Sequence, residues 1–297
     1  MKMKINSMKR KVWYHVAVVF CLGLLACQSD DEKFEEASKE VVFRVVNYTQ
    51  YNLDEVTRAS ADVLDHLVLG VFDAETDAMV GSLTVQNEGD TGYGTFSVRL
   101  AQGSYRLVFL GYDGTRACNM TSSSVVSFAD DFVPQTFIYS TLLTVEDDAI
   151  PAQNIILNRA VGAFRLTLTD AEMPSEWVKM RFRFAGGSTK LNVQTGFGLD
   201  NTGRIYDISI PSNFQSREDR FMTVFLFIPE DEAPIDITVD ALNSGGEVIH
   251  SRTFPAVPMK VNQLLNYTGE FFADPTSEFS ATVTYNIEWG SEQTVNF

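Results

Sequence analysis

The sequence predicts an all-β protein, because apolar and polar residues alternate through much of the chain after residue 40. Residues on one face of a strand recur with period two, whereas a helix needs a period near 3.6, and no long helical period stands out. The apolar runs are also short, rich in β-branched and aromatic residues, and separated by turn residues. These patterns are typical of sandwiches in which each sheet buries one face.

The clearest predicted strand is C-terminal, with polar residues on one face and apolar residues on the other. The apolar residues are Phe279, Ala281, Val283, Tyr285, Ile287 and Trp289. Further strands are predicted at Val41–Tyr48, His66–Asp73, Gly94–Leu100, Ser104–Gly111, Phe137–Val145, Phe164–Thr169, Val178–Phe184, Ile205–Ile210, Phe221–Ile228, Ile235–Ala241 and Glu247–Phe254. Turns are predicted at Gly114, Gly186-Gly187, Asn201–Gly203 and Ser244–Gly246. A short helix is predicted at Ala59–His66.

Two domains are predicted, with a boundary in the interval 146–159. This interval begins with the acidic, proline-ended stretch Glu146–Pro151, after which a new strand pattern starts. Residues 40–158 are therefore expected to form an N-terminal β-sandwich and residues 159–297 a C-terminal one. Residues 27–39 are expected to form a flexible acidic tether.

Residues 1–26 have the pattern of a signal peptide. Basic residues precede an uncharged, mostly apolar run of 11 residues from Val16 to Ala26, which is shorter than the roughly 20 that a transmembrane helix needs. The run ends in Leu24-Leu25-Ala26-Cys27, which resembles the bacterial lipobox, whose cysteine is acylated, for example with palmitate, and becomes the first mature residue. Cys27 is therefore the expected lipidation site. The alternative is an ordinary secretory signal with a chance cysteine.

Ser29, Asp30, Asp31 and Glu32 follow this cysteine closely. The acidic cluster resembles the export signal of Bacteroidetes surface lipoproteins, which places the lipid-anchored protein on the outer face of the outer membrane. The alternative is a solvated acidic linker, which many lipoproteins have.

The chain is strongly acidic, with 39 Asp and Glu, 23 Lys and Arg, and a net charge of −16. Loss of residues 1–26, which hold five basic and no acidic residues, would take the net charge to −21. Such a surface repels nucleic acid and anionic membranes, so no nucleic-acid partner is expected. Cys21 would leave with the signal peptide and Cys27 would be acylated, so Cys118 has no partner for an intrachain disulfide.

Several short segments occur in a familiar order across almost the whole mature chain. They are Thr57-Arg58-Ala59, His66–Asp73 (HLVLGVFD), Gly103–Val108 (GSYRLV), Ile138–Val145 (IYSTLLTV), Asn158–Phe164 (NRAVGAF) and Val257–Asn262 (VPMKVN), which runs into Tyr267-Thr268-Gly269. This ordered set resembles the FimB-type anchor and fimbrillin family of Bacteroidales fimbriae. Val261 departs from it, since the family more often carries a basic residue there.

The resemblance implies two transthyretin-like β-sandwich domains in tandem, and assembly by strand donation, in which one subunit's strand completes a neighbour's sheet. The predicted strand Val41–Tyr48 is the candidate for the first, displaceable strand. In the family's polymerising subunits an Arg-specific protease cuts after such an arginine, so Arg58 and Ala59 flank the candidate cleavage site. An uncut chain would keep its lipid and its own strand, and would behave as an anchor.

No catalytic set is recognisable in the sequence. Only His66 and His250 remain after residue 26, and neither accompanies a nucleophile motif. The patterns G-x-S-x-G, H-E-x-x-H and the P-loop are absent from the sequence, and two histidines are too few for a His-rich metal site. We therefore expect no enzyme activity, no metal and no cofactor.

Acidic pairs recur at Asp130-Asp131, Glu146–Asp148, Glu218-Asp219 and Glu230–Glu232. Paired carboxylates could hydrolyse glycosides across a cleft of about 5 to 9.5 Å, but acidic turns on a solvated surface are the simpler interpretation. Asp73, Glu75 and Asp77 superficially resemble a calcium loop. Ala78 and Thr84 occupy the positions at which an EF-hand needs Gly and Glu, so a hairpin turn is predicted there instead.

Four aromatic residues near turn signals, Tyr93, Tyr112, Tyr206 and Phe214, are candidates for an exposed sugar platform. The function predicted from all these features is a cell-surface lipoprotein subunit of a fimbria, in the anchor, stalk or tip, that supports adhesion. Its expected partners are other fimbrial subunits, the outer membrane, and a host protein or glycan receptor. The alternative is a surface glycan-binding lipoprotein of a polysaccharide-uptake system, for which an aromatic cleft would be the distinguishing feature.

Overall fold

The computed structural model describes residues 38–48, 64–218, 220–273 and 281–282, with the backbone alone at residues 47, 48, 281 and 282. Within these residues the regular structure consists of β-strands and two short 3₁₀ turns, Ala129–Asp131 and Phe214–Ser216. The prediction of an all-β fold is therefore confirmed. No helix in this part of the chain has the length and hydropathy needed to cross a membrane.

The strands fall into two groups along the chain. The first group comprises β1 (Lys39–Tyr48), β2 (His66–Asp73), β3 (Thr84–Asn87), β4 (Thr95–Leu100), β5 (Gly103–Tyr112), β6 (Cys118–Ser122), β7 (Val125–Phe128), β8 (Thr136–Val145) and β9 (Gln153–Arg159). The second comprises β10 (Gly162–Leu168), β11 (Lys179–Phe184), β12 (Lys190–Asn192), β13 (Phe197–Gly198), β14 (Arg204–Ser209), β15 (Phe221–Leu226), β16 (Glu232–Leu242), β17 (Val248–Lys260), β18 (Leu264–Gly269) and β19 (Ala281–Thr282).

The two groups repeat one pattern of strand pairing. In the first, the orders β3-β2-β5-β8 and β4-β1-β9 join at β9 into a seven-stranded sheet. In the second, the orders β14-β11-β16-β17 and β15-β10-β18 recur in separate sheets. The first strand of each group has one parallel and one antiparallel neighbour: β1 pairs in parallel with β9 and antiparallel with β4, and β10 pairs in parallel with β18 and antiparallel with β15. The corresponding strands also occur in the same order along the chain.

A small sheet ordered β13-β12-β7-β6 links the groups, because β6 and β7 belong to the first and β12 and β13 to the second. It covers the second face of β2, which is consequently buried on both faces along almost its whole length. Gly70 allows this close approach, since a Cβ atom at that position would lie 2.6 Å from Met120 Sδ.

Three apolar clusters hold the strands together. One lies within the first group and includes Phe43, Leu107 and Phe109; another lies within the second and includes Phe164 and Phe182. The third, which we call the linking cluster, joins the small sheet to both groups. In it the ring of Phe128 stacks on that of Phe227 with centroids 6.5 Å apart. The described residues from Lys39 onward accordingly form one compact unit.

Most predicted strands are present with small shifts at their ends, and His66–Asp73 has the predicted bounds. β9 begins at Gln153, after the acidic stretch Glu146–Pro151 and inside the interval predicted to hold the domain boundary. One expectation needs correction. The helix expected at Ala59–His66 does not extend through its described end, because His66 already begins β2; Ala59 itself lies outside the described residues. Of the C-terminal strand, only Ala281 and Thr282 are described, as β19.

Candidate functional site

β1, the predicted displaceable strand, lies inside the seven-stranded sheet rather than at its edge. Lys39–Arg44 pairs antiparallel with β4, and Phe43–Tyr48 pairs in parallel with β9, with a register shift between Val45 and Asn47. Within the described residues β4 has no other strand partner. β1 therefore connects β4 to the rest of the sheet, and we call the position that it fills the β1 site.

The side chains of β1 alternate between the core and solvent. Val41 and Phe43 are fully buried, and the Phe43 ring meets the edge of the Phe109 ring with centroids 5.2 Å apart. Val45 packs against the same cluster, whereas Val46 is 53% exposed on the opposite face. A strand shifted by one residue would turn this apolar set to solvent, so the side chains fix the register at the β1 site.

Removal of β1 would be costly in two ways. Burial of an aliphatic or aromatic side chain such as Val41 or Phe43 contributes about 1.5–3 kcal/mol each. Phe96 and Leu100 of β4 are also almost fully buried, and they would lose the strand that holds β4 in the sheet. An empty β1 site would expose unpaired backbone N–H and C=O groups beside the apolar side chains of the first cluster. Such a groove is a template with which another strand can pair.

The beginning of β1 is fastened by polar contacts. The Lys39 ammonium group donates hydrogen bonds to the carbonyl oxygens of Glu146 and Asp148, in the connection between β8 and β9. The Ser97 hydroxyl of β4 donates to Glu40 Oε1 over 2.5 Å. These contacts are exposed, so they position the strand end rather than supply most of its stability.

The residues predicted for lipidation, export and cleavage all lie outside the described part of the chain. They are Cys27, Ser29, Asp30, Asp31, Glu32, Arg58 and Ala59. The described residues begin shortly after the acidic cluster, and the segment that contains Arg58 follows β1 directly.

The two histidines occupy structural positions. Both ring nitrogens of His66 hydrogen-bond, Nδ1 to Asn87 Oδ1 over 2.9 Å and Nε2 to the Gly114 carbonyl over 2.8 Å. His250 packs against the ring of Phe271, and burial lowers its pKa. In the described residues no group of acidic, cysteine and histidine side chains could hold a metal ion.

The predicted hairpin turn after β2 is present. Asp73 Oδ1 accepts hydrogen bonds from the backbone N–H and the hydroxyl group of Thr76, which lower the pKa of Asp73, and a further one from the backbone N–H of Glu75. Met79 then bridges back to Phe72. The Asp73 carboxylate is thus occupied within its own turn.

The prediction of exposed aromatic residues is wrong for two of the four. Tyr112 and Phe214 are buried, because Tyr112 packs in the linking cluster and Phe214 contacts the ring of Trp177. Tyr93 packs partly against the first core and donates a hydrogen bond to the Leu64 carbonyl.

Tyr206, the fourth, is half-buried in a stack of side chains. Its ring lies 5.3 Å from that of Phe132, and the Arg204 guanidinium lies 4.6 Å from its centroid. Arg116 similarly lies 5.8 Å from the Phe132 ring. Burial raises the pKa of Tyr206 to about 12. The rings face arginines of the same chain, so this cluster forms a contact between the two strand groups.

Asp170 is a structural residue that no sequence pattern predicted. It is almost fully buried, and its carboxylate accepts hydrogen bonds from the backbone N–H groups of Phe271 and Phe272 over 2.8 and 2.7 Å. Arg252 donates to the carbonyl oxygens of Phe271 and Ala273. Together they fix the segment that leaves β18. No pattern near Asp170 marks it, because its partners lie about a hundred residues away.

A family profile for proteins of unknown function, DUF6562, matches residues 127–296, which is more than half of the chain. The chain belongs to this family. No curated protein matches this DUF6562 member significantly.

Among solved structures, a candidate adhesin from Bacteroides ovatus is similar, with 9% identity, a TM-score of 0.51, and coverage of 87% of this chain and 95% of the other. A protein from Bacteroides thetaiotaomicron, described as a candidate polysaccharide-binding protein, has 10% identity, a TM-score of 0.50, and coverage of 87% and 98%. At these identities the similarities establish the fold alone.

The fimbrial anchor protein Mfa2 from Porphyromonas gingivalis is also similar, with 11% identity, a TM-score of 0.43, and coverage of 87% of this chain and 99% of the other. That similarity is too weak to support an argument about this DUF6562 chain.

Proposed function

We propose that the protein is a cell-surface lipoprotein subunit of a fimbria that supports adhesion and is assembled by β-strand donation. The observation that carries this proposal is the placement of β1. This strand fills the core through Val41 and Phe43, holds β4 in its sheet, and is followed directly by the segment that contains Arg58.

Strand donation at the β1 site has a simple physical basis. A neighbour's strand would recover the backbone hydrogen bonds that β1 makes, and its alternate apolar side chains would refill the positions of Val41 and Phe43. The replacement must run parallel to β9 and antiparallel to β4, as β1 does. Its affinity comes from the main chain and its register from the side chains.

The domain organisation is part of the same proposal. Residues 40–158 and 159–297 form two tandem transthyretin-like β-sandwiches, connected by the small sheet. The repeated pairing order supports this division, since each group carries the same two sets of strands in the same chain order. The linking cluster around Phe128 and Phe227 then serves as the contact between the sandwiches.

Attachment to the outer membrane is assigned to a lipid on Cys27, with Ser29, Asp30, Asp31 and Glu32 as the signal for export to the cell surface. Metabolic labelling with a fatty-acid analogue tests this assignment. The wild-type protein incorporates the label, and the Cys27→Ala variant loses both the label and membrane attachment. Retention of the label by the variant would contradict the assignment.

Cleavage after Arg58 separates two roles for the chain. A cut chain can lose β1 and accept a neighbour's strand, whereas an uncut chain keeps its own strand and acts as an anchor. Limited trypsin digestion of the mature chain tests this step by size-exclusion chromatography and intact mass. We expect early cleavage at Arg58 followed by oligomers. Resistance of Arg58 while other arginines are cut, or a cut product that stays monomeric, would count against strand donation.

The alternative function, binding of polysaccharide during nutrient uptake, has no specific support in the described residues. Tyr112 and Phe214 are buried, and the rings of Phe132 and Tyr206 face arginine side chains. A glycan receptor for the assembled fimbria remains part of the proposal as a partner.

A further inference from the structure

The repeated pairing pattern leaves one strand edge covered in the second group and uncovered in the first. In the second group, β18 pairs with β10 on one side and with β19 on the other, where Asn266 faces Thr282 and Tyr267 faces Ala281. In the first group, β1 is the only strand that pairs with residues 153–157 of β9, and the contact with β8 is confined to residues 158–159. These pairings concern the described residues alone.

We propose that the free edge of β9 binds an extended segment of a partner protein, which adds as an antiparallel strand where β19 lies in the second group. This site is distinct from the β1 site, and it requires neither cleavage at Arg58 nor displacement of β1. Within the described part of the chain, β1 is the one strand that pairs with residues 153–157, and no backbone hydrogen bond outside the strand pairings reaches them.

The side chains of β9 suit strand addition. Ile155 and Leu157 are buried against the first core, whereas Ile156 is 51% exposed on the outer face. Exposed edges are commonly protected by lysine, proline or a bulge, and Gln153–Leu157 contains no charged residue and no proline. Alternate apolar residues of an added strand would therefore lie beside Ile155 and Leu157 at the edge of the first core, and the residues between them would lie beside Ile156 on the outer face.

The charge near the start of β9 indicates the chemistry of the partner. Glu146, Asp147 and Asp148 are exposed, and Lys39 contacts only the backbone carbonyls of this stretch. In an antiparallel addition, the C-terminal end of the bound segment lies beside Gln153, close to these carboxylates. The segment should therefore carry alternating apolar residues followed by lysine or arginine. Because these carboxylates act on the bound segment itself, a basic segment of another protein suits this edge better than a second copy of this acidic chain, whose full sequence has a net charge of −16.

The test uses the uncut mature chain and a fluorescein-labelled peptide of alternating valine and threonine that ends in three lysines. Fluorescence anisotropy measures binding to the wild type, to Ile156→Lys, and to a matched control, Val85→Lys, whose residue is 48% exposed on the edge strand β3. We expect Ile156→Lys to weaken binding by about tenfold or more and Val85→Lys to leave it unchanged. A peptide ending in three glutamates should bind more weakly than the lysine peptide.

Hydrogen exchange on the wild type provides a readout that does not depend on the variants folding. The amides of residues 153–157 should exchange more slowly when the lysine peptide is bound. The proposal is overturned by unchanged exchange at these residues, by equal weakening in both variants, or by a wild-type dimer that Ile156→Lys dissociates, since a second copy would then be the occupant. The peptide leaves β1 in place, so none of these results bears on strand donation at the β1 site.

Discussion

Phe43 of β1 is among the largest fully buried side chains of the described core. It is fully buried and meets Phe109, so Phe43→Ala should lower the free energy of unfolding by about 3–5 kcal/mol. Val46→Ala, in the same strand but exposed, should change it by less than about 0.5 kcal/mol. Urea unfolding monitored by fluorescence measures both. Equal effects would show that β1 does not contribute to the core in this register.

His250 should make stability depend on pH. Burial lowers its pKa in the folded protein, so the unfolded chain binds the proton more tightly. The stabilising contribution of the neutral ring is complete above the unfolded pKa of about 6.5, and it is lost as pH falls through the lower folded value. Between pH 7.5 and 5.5, the wild type should therefore lose more stability than His250→Leu. Thermal unfolding of both proteins across this range makes the comparison, and parallel curves would contradict it.

Asp170 should hold the segment after β18 through its charge. Asp170→Asn weakens the hydrogen bonds from Phe271 and Phe272 and should cost about 1.5–3 kcal/mol. Asp207→Asn is the matched control, because Asp207 pairs with Arg181 on the surface over 2.8 Å and should contribute at most about 1 kcal/mol. Chemical denaturation and hydrogen exchange at Phe271 and Phe272 test the difference. Similar losses in both variants would exclude the assigned role.

At the scale of single strands, the sequence predicted those whose alternation or apolar content is strong, such as β2 and β5. β9 was not predicted, because its last buried position is an arginine. The guanidinium of Arg159 lies over the Phe137 ring, 4.9 Å from its centroid, whereas an arginine in a sequence is ordinarily expected to be exposed to solvent. The small sheet was missed because β12 and β13 are only two or three residues long, and β12 pairs with the distant strand β7.

The dependence of β4 on β1 predicts a coupled loss of protection. When cleavage at Arg58 releases β1, the amides of Thr95–Leu100 should exchange faster, because β1 is the only described strand partner of β4. The amides of β16, in the other strand group, should be unaffected. Hydrogen exchange with peptide-level mass spectrometry measures both. Unchanged protection of β4 after release of β1 would contradict the proposed structure of the empty site.

For the whole molecule, the sequence predicted the fold class and the location of a candidate exchange strand. It could not predict how the strand groups contact each other, since Phe128 and Phe227 are about a hundred residues apart and no local pattern connects them. Nor could it predict that β1 lies inside a sheet, because strand order depends on pairings between distant segments. The duplicated pairing order is visible only in three dimensions, and so is the difference between β18 and β9, since among the described residues β18 has strand partners along both edges and residues 153–157 of β9 have one along a single edge.

Exchange of β1 itself tests strand donation most directly. The mature chain is cut at Arg58 and mixed with a synthetic peptide of residues 39–48, and uptake of the peptide and formation of oligomers are followed by native mass spectrometry. We expect the wild-type peptide and a Val46→Asp peptide to fill the β1 site and suppress oligomers, and a Phe43→Asp peptide to do neither. Strand donation at this site is contradicted if the Phe43→Asp peptide competes as well as the wild-type peptide, or if no peptide enters the cut chain while oligomers still form.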